Sequence, residues 1–497
     1  MGALTSLAPA AQLSHPSYLP LVMHSHWSIL LFFIFAVQPA YTSPLSEAEQ
    51  AREDEAPAPV VRSPLHLACR RESGYQPRHL RPEEFVVAPV TMDKRDGVTA
   101  PDAGQMATFT AGYPEPTRLG TGFKFLSNSN HELDKQNVDN VAPPTTDQGS
   151  IVNLKWSMSL SHTRLLNGGW VREQTVTDLP PSKDFSAAEI AMAPNAYREL
   201  HWHRVAEWGY VLGGNGRLTA IDEEGKSFIS DIRGPTNISD PDIYYIRALG
   251  DGLELLLVFT DGDFDALGTT FMLSDWFART PLEVLAKNLG IDDINILSKI
   301  PQKDPYILPS TKAPPPLGHA DEEAVPSPQG TIDPSHYIFR LADQNETVAP
   351  GGGGWLKIQD SVINFPVSKL VASALVYVEP NGLREMHWHN DDGAFTLYDA
   401  LFGTARATAF GGCSSSRTFD FQPGDTAVFP ASYGHYVENT SPTEPLVYLE
   451  MFKAPKFIDF SATQWLALTP PQIVADLLNI TLEVVEGFMN VKPLVIA

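Results

Sequence analysis

Two short strings carry most of the chemistry in this chain. His201 and His203 stand two positions apart, and so do His387 and His389. In a strand, residues i and i+2 point to one face, so each pair would project two imidazoles together. Imidazoles combined with carboxylates suit divalent Mn, Fe or Zn, and the shortage of cysteine disfavours a soft-metal site. Glu207 follows His203 by four and offers an anionic ligand. After the second pair, a Gly turn and a Pro-ended strand, GDTAVFP at 424–430, lead to His435 and return it toward the earlier imidazoles. Arg198 and Arg384 stand three residues before the paired histidines, a repeated place that suits a pocket cation. Glu450 lies in the apolar run LVYLEMF, where burial would favour its protonated form and suit it to proton donation.

The elements that must position these groups are themselves repeated. PNAYRELHWH at 194–203 recurs 186 residues later as PNGLREMHWH, with seven of ten positions identical. WFARTP at 276–281 recurs as WLALTP at an offset of 189. Two landmarks in one order at nearly one spacing indicate a duplicated domain. Within each copy, short apolar runs are separated by Gly, Pro and Asp. The runs LELLLVF at 253–259 and LVYLEMF at 446–452 predict buried strands, as does DTAVFP at 425–430. Helical stretches at 281–289 and 470–478 close the copies. The expected fold is therefore all-β, each copy a sandwich or barrel. Residues 301–334, with APPPLG and VPSPQG, read as a stiff linker. The layout is a signal segment over 1–43, a loose arm or propeptide over 44–112, a first domain over 113–300 and a second over 335–497.

Composition narrows the class. Hydrophobic residues make up 43% of the 497, enough for sizeable cores. Lys plus Arg number 35 against 59 Asp plus Glu, a net charge of −24 that repels phosphate backbones and argues against a nucleic-acid partner. Two cysteines exclude a disulfide-rich scaffold and a Cys-ligated zinc site. The apolar run ILLFFIFAV at 29–37 is too short to span a bilayer, which takes about 20 residues, and fits the core of a secretory signal. The chain is thus expected to be secreted, without a membrane span.

The longer strings around these residues resemble a known family, the two-domain cupins, and within them the fungal oxalate decarboxylases. They include NLKWSMSLSHTRLLNGGWVREQTVTDLPPSKD at 153–184, RELHWHRVAEW at 198–208, REMHWH at 384–389 and FDFQPGDTAVFPASYGHYVENT at 419–440. The resemblance runs from about residue 113 to the C-terminus. It implies two tandem jelly-roll β-barrels with short C-terminal helices, each barrel holding one Mn(II). It implies the conversion of oxalate to formate and carbon dioxide, with dioxygen as co-reactant, and by analogy a homo-oligomer. The family's ligands fall on His201, His203 and Glu207 at site one, and on His387, His389 and His435 at site two. Its oxalate-contacting arginine falls on Arg198 and Arg384, and its second-domain acid on Glu450.

Three departures stand against that pattern. The family places three His and one Glu around each metal, but no His lies between His203 and His319. Tyr244 or Asp242 stands near the lost position. The family's lid corresponds to FDALGTT at 264–270, whose one carboxylate is Asp265. In the second copy no Glu follows His389, and Asp391, Asp392 and Asp399 have the wrong spacing for simple replacement. Two alternatives stay open beside a decarboxylase: an oxalate oxidase giving carbon dioxide and peroxide, and a non-catalytic bicupin with degraded metal sites.

Overall fold

The structure is a computed structural model, and it describes residues 130–141, 143–234, 237–239, 243–390, 394–396 and 403–497. The signal and arm expected over 1–112 lie outside the described residues, as do Asp242, Asp391, Asp392 and Asp399. The all-β expectation is met by two antiparallel barrels. The run 253–259 forms the end of strand Ile243–Phe259. Leu253, Leu255, Leu257 and Phe259 fill the first barrel, while Leu256 and Val258 face a second apolar layer. A strand with both faces covered reads as an unbroken apolar run, which is why its period of two was hidden. Strand Leu446–Phe452 repeats the arrangement, with Leu446 and Tyr448 inside the second barrel and Leu449 and Met451 in the shared layer. That layer, with Trp208, Tyr210, Phe339 and Phe365, joins the barrels back to back. Across it Trp208 Nε1 donates to Gln359 Oε1 at 3.0 Å.

Strands are exchanged between the two halves expected over 113–300 and 335–497. Strand Lys155–Ser157, assigned above to the first domain, pairs with Asp425–Phe429 of the second barrel. Lys155 ties this strand to its partner barrel. Its buried ammonium forms an ion pair with Asp425 at 2.9 Å and donates to the carbonyl of Asp420 at 2.6 Å. In return, Ile338–Phe339 pairs with Asn237–Ser239 of the first barrel. Nor is 301–334 a free spacer. Ile307–Leu308 pairs with Tyr197–Arg198, and the fully buried Arg217 binds Glu323 at 2.7 Å and the Pro316 carbonyl at 3.2 Å. The segment is a strap laid on the first barrel, because a buried guanidinium needs these acceptors.

Each barrel ends in helices: Leu273–Ala278, Leu282–Leu289 and Ile294–Leu297 in the first, Ala462–Ala467, Pro471–Leu478 and Leu482–Glu486 in the second. Gly290 and Asn479, at φ 65° and 55°, take the left-handed conformation that stops the middle helix of each set. No helix among the described residues is long and apolar enough to cross a membrane.

Candidate metal centres

The barrel interiors hold two clusters of potential ligands, and in each the ligand atoms lie within 4.8 Å of one another. In the second barrel, strand Leu383–Trp388 carries His387, with His389 just beyond its end. Strand Gly434–Asn439 brings His435 opposite His387 in register. Each ring is held through Nδ1 by a main-chain carbonyl: His387 by Glu385 at 2.6 Å, His389 by Ile458 at 2.9 Å, His435 by Tyr433 at 2.9 Å. Holding Nδ1 fixes the tautomer and turns Nε2 toward the centre. His387 Nε2 is buried without a partner, an orphan that a metal ion would satisfy. Burial keeps the rings neutral, as ligands must be: His389 is pushed down to about 4, His435 to about 3, and His387 well below its usual value.

In the first barrel, strand His201–His203 projects its two imidazoles inward, and Glu207 opens strand Glu207–Ile221. Glu207 Oε2 lies 3.0 Å from His203 Nε2. The Glu199 carbonyl holds His201 Nδ1 at 2.6 Å, and Thr270 Oγ1 holds His203 Nδ1 at 2.7 Å. His201 is held well below its usual pKa, by burial first and by Arg198 second. All six candidate ligands named from the sequence are therefore brought together, three to a barrel. Nitrogen and carboxylate oxygen without thiolate is a donor set that manganese fits.

Strand register locates what each barrel lacks. His435 faces His387 in the second barrel, and in the first the residue facing His201 is Tyr244. Phe452 of the second barrel faces Ala394, whereas the corresponding Phe259 faces Glu207. Tyr244 thus holds the backbone position of the missing histidine, and Ala394 that of the missing glutamate.

The two arginines, alike in sequence, have different surroundings. Arg384 is fully buried and neutralised. Its Nε lies 3.3 Å from Glu450 Oε1, its Nη2 lies 2.6 Å from Asp459, and its Nη1 donates to the Leu494 carbonyl at 3.3 Å. Tyr448 also donates to Glu450 Oε1, at 2.9 Å. Glu450 is therefore first of all an ion-pair partner of Arg384. Arg198 is 4% exposed and has no carboxylate paired to it among the described residues. Its Nη1 donates to the Tyr306 carbonyl at 3.0 Å, and its guanidinium lies 3.4 Å from the centre of the Tyr306 ring.

Residues 160–296 and 339–486 each match the Cupin family. An oxalate decarboxylase of the fungus Arthroderma benhamiae is 39% identical over 410 residues, covering 76% of this chain and 92% of its own. The oxalate decarboxylase OxdC of Bacillus subtilis is 41% identical over 369 residues, covering 73% and 91%. A structure of the Bacillus subtilis enzyme at pH 4.6 superposes with a TM-score of 0.70, covering 77% of this chain and 97% of that one. A second structure, from work on the Mn(II) centres of the same enzyme, has the same TM-score.

The chain belongs to the bicupin oxalate decarboxylase family.

The two barrels of this chain differ from one another at Tyr244, opposite His201 where the second barrel has His435, and at Ala394, opposite Phe452 where the first has Glu207. Sequence reasoning missed Tyr306, Asp459 and Lys492, which surround the arginines. A signal was available. Pro305-Tyr306-Ile307 and Pro493-Leu494-Val495 are a third repeat, at an offset of 188, and the tripeptides pair alongside Arg198 and Arg384. The first copy was passed over because it lies in a segment read as linker.

Proposed function

We propose that the protein splits hydrogen oxalate into formate and carbon dioxide at the first centre, with manganese held by His201, His203 and Glu207. The observation that carries the choice of centre is Arg198, a buried guanidinium with no carboxylate in ion-pair contact among the described residues. Such a cation is costly to keep unpaired and is stabilised by an arriving carboxylate, whereas every nitrogen of Arg384 is already engaged. Manganese, when bound, supplies positive charge and one-electron redox chemistry beside the carboxylate. Arg198 orients the anion and holds charge that develops on it. The burial of Arg198 and His201 keeps bulk water off the reacting carboxylate.

The carbon that leaves as formate loses its bond to carbon and gains one to hydrogen. A proton must therefore be delivered, and Asp265 on the covering segment 264–270 is our candidate donor. The second centre, with three histidines and a neutralised Arg384, we assign to metal binding, with Glu450 completing its charge balance. Dioxygen is read as a co-reactant that is not consumed overall, since the reaction is redox-neutral. We read the 29–37 run as a secretory signal on its length and apolar composition, and assembly as homo-oligomeric on resemblance alone.

Manganese-loaded protein incubated with oxalate at acidic pH should release formate and carbon dioxide in equal amounts. Peroxide in place of formate would mean that proton delivery fails and an oxidase remains. Neither product would mean a binding protein.

A further inference from the structure

The duplicated scaffold provides an internal comparison. Glu199 N donates to the Tyr306 carbonyl at 3.0 Å, and Glu385 N donates to the Leu494 carbonyl at 3.1 Å. Arg198 and Arg384 donate to the same two carbonyls. Tyr306 and Leu494 both have positive φ, 56° and 60°, strained for bulky side chains, so one costly cradle has been kept in both halves. What fills the cradle has changed.

Three residues form a row across each barrel wall. In the first it reads Glu173, Ala188, Leu257; in the second, Ile358, Ala374, Glu450. The acid has moved from one end of the row to the other. Each acid accepts a hydrogen bond from a tyrosine, Glu173 Oε1 from Tyr306 at 3.2 Å and Glu450 Oε1 from Tyr448 at 2.9 Å. In the second barrel the acid is also an ion-pair partner of the arginine. In the first, the ring of Tyr306 lies beneath Arg198, and the acid binds the far end of that ring. The register position of Asp459, the other partner of Arg384, is Thr270 in the first barrel.

We propose that Glu173 is a positioning residue of the first centre: by accepting the Tyr306 hydroxyl it clamps the ring under Arg198 and leaves the guanidinium free to receive a carboxylate of the substrate. A stacked aromatic face holds a guanidinium without neutralising it, so Arg198 keeps its outward N–H groups for a bidentate anion. Burial raises the Tyr306 phenol far above its usual range and keeps it the donor in this pair. The same burial raises Glu173, with Asp265 adding to the effect.

This inference rests on oxalate as the substrate, so its test reads binding and turnover separately. Oxalate affinity is measured from the perturbation of the Mn(II) EPR signal in wild-type protein and in Glu173→Ile, Glu173→Gln and Tyr306→Phe, alongside manganese content, KM and kcat. Glu173→Ile installs the second barrel's residue and removes the acceptor, and Tyr306→Phe keeps the ring and removes the donor. Each should weaken oxalate binding by about tenfold, the scale of one lost charge-assisted contact, with manganese content retained and KM rising more than kcat falls. Glu173→Gln keeps an acceptor oxygen and should recover most of the affinity lost in Glu173→Ile. Wild-type oxalate affinity in Glu173→Ile, or a fall in kcat alone, overturns the proposal. Should Glu173→Ile fail to fold, Tyr306→Phe decides by the same criterion. Wild-type protein that binds no oxalate refutes the substrate reading instead.

Discussion

At the scale of single residues, identical side chains in matched places do different work because their partners differ. Arg198→Ala removes a cation beside the first centre that has no ion pair among the described residues. Its expected effect is a fall of roughly 100-fold or more in kcat/KM, with thermal stability little changed. Arg384→Ala leaves Glu450 a buried acid without its ion-pair partner and Asp459 with Lys492 alone, and should destabilise the fold by about 3–5 kcal/mol, read by denaturant unfolding. The histidines set the pH response. Burial depresses the folded-state pKa values of His389 and His435 to about 4 and about 3. The unfolded chain, titrating near 6.5, then binds protons that the folded chain refuses. Metal-free protein should therefore be most stable above about pH 6.5 and lose stability as pH falls toward about 4. Added manganese should offset the loss, because it binds only the neutral imidazoles. A thermal unfolding series with and without manganese checks the sign, and a metal-free protein that gains stability on acidification would contradict it.

At the scale of elements, the short strand Lys155–Ser157 has consequences beyond its length. Lys155 also donates to the Gln136 carbonyl at 2.9 Å, so one ammonium ties the 131–141 helices and this strand to the second barrel. Burial pushes Asp139 up to about 6, with Asp420 adding to the effect and Lys155 opposing it. Lys155→Ala should release the segment at a cost of about 2–4 kcal/mol, seen as new protease cuts between 130 and 160 while the barrels stay intact. The strap over 301–334 is tied by the same physics at Arg217. The strap reads as linker because Pro, Gly and charge dominate it, and Lys155 reads as part of the first domain; no local pattern says that a distant carboxylate or carbonyl awaits each cation.

At the scale of the molecule, two barrels share an apolar layer that neither can cover alone. Trp208 is fully buried there and bonded to Gln359. Trp208→Ala should cost about 3–5 kcal/mol from the cavity, and leaves Gln359 Oε1 without the indole donor. Each barrel expressed by itself would expose this layer and lose a strand supplied by the other, so isolated halves should aggregate while the paired protein stays soluble; light scattering distinguishes the two outcomes.

The amino-acid sequence by itself determined the duplication, the all-β class and the family, and it named the six candidate ligands and the two arginines. These are carried by local strings, and i, i+2 spacing is a local rule of strand geometry. Only the tertiary structure decided that Arg384 is neutralised and Arg198 is not. Glu450, Asp459 and Lys492 come from strands and loops more than 60 positions away from Arg384, and their counterparts in the first half are Leu257, Thr270 and Asp304. It likewise decided that Tyr244 and Ala394 occupy the places of the absent ligands and that Lys155 belongs to the other barrel. Each of these facts is a pairing across the sheet, and pairing is set by which distant groups satisfy one another when water is removed, which no stretch of neighbouring residues encodes.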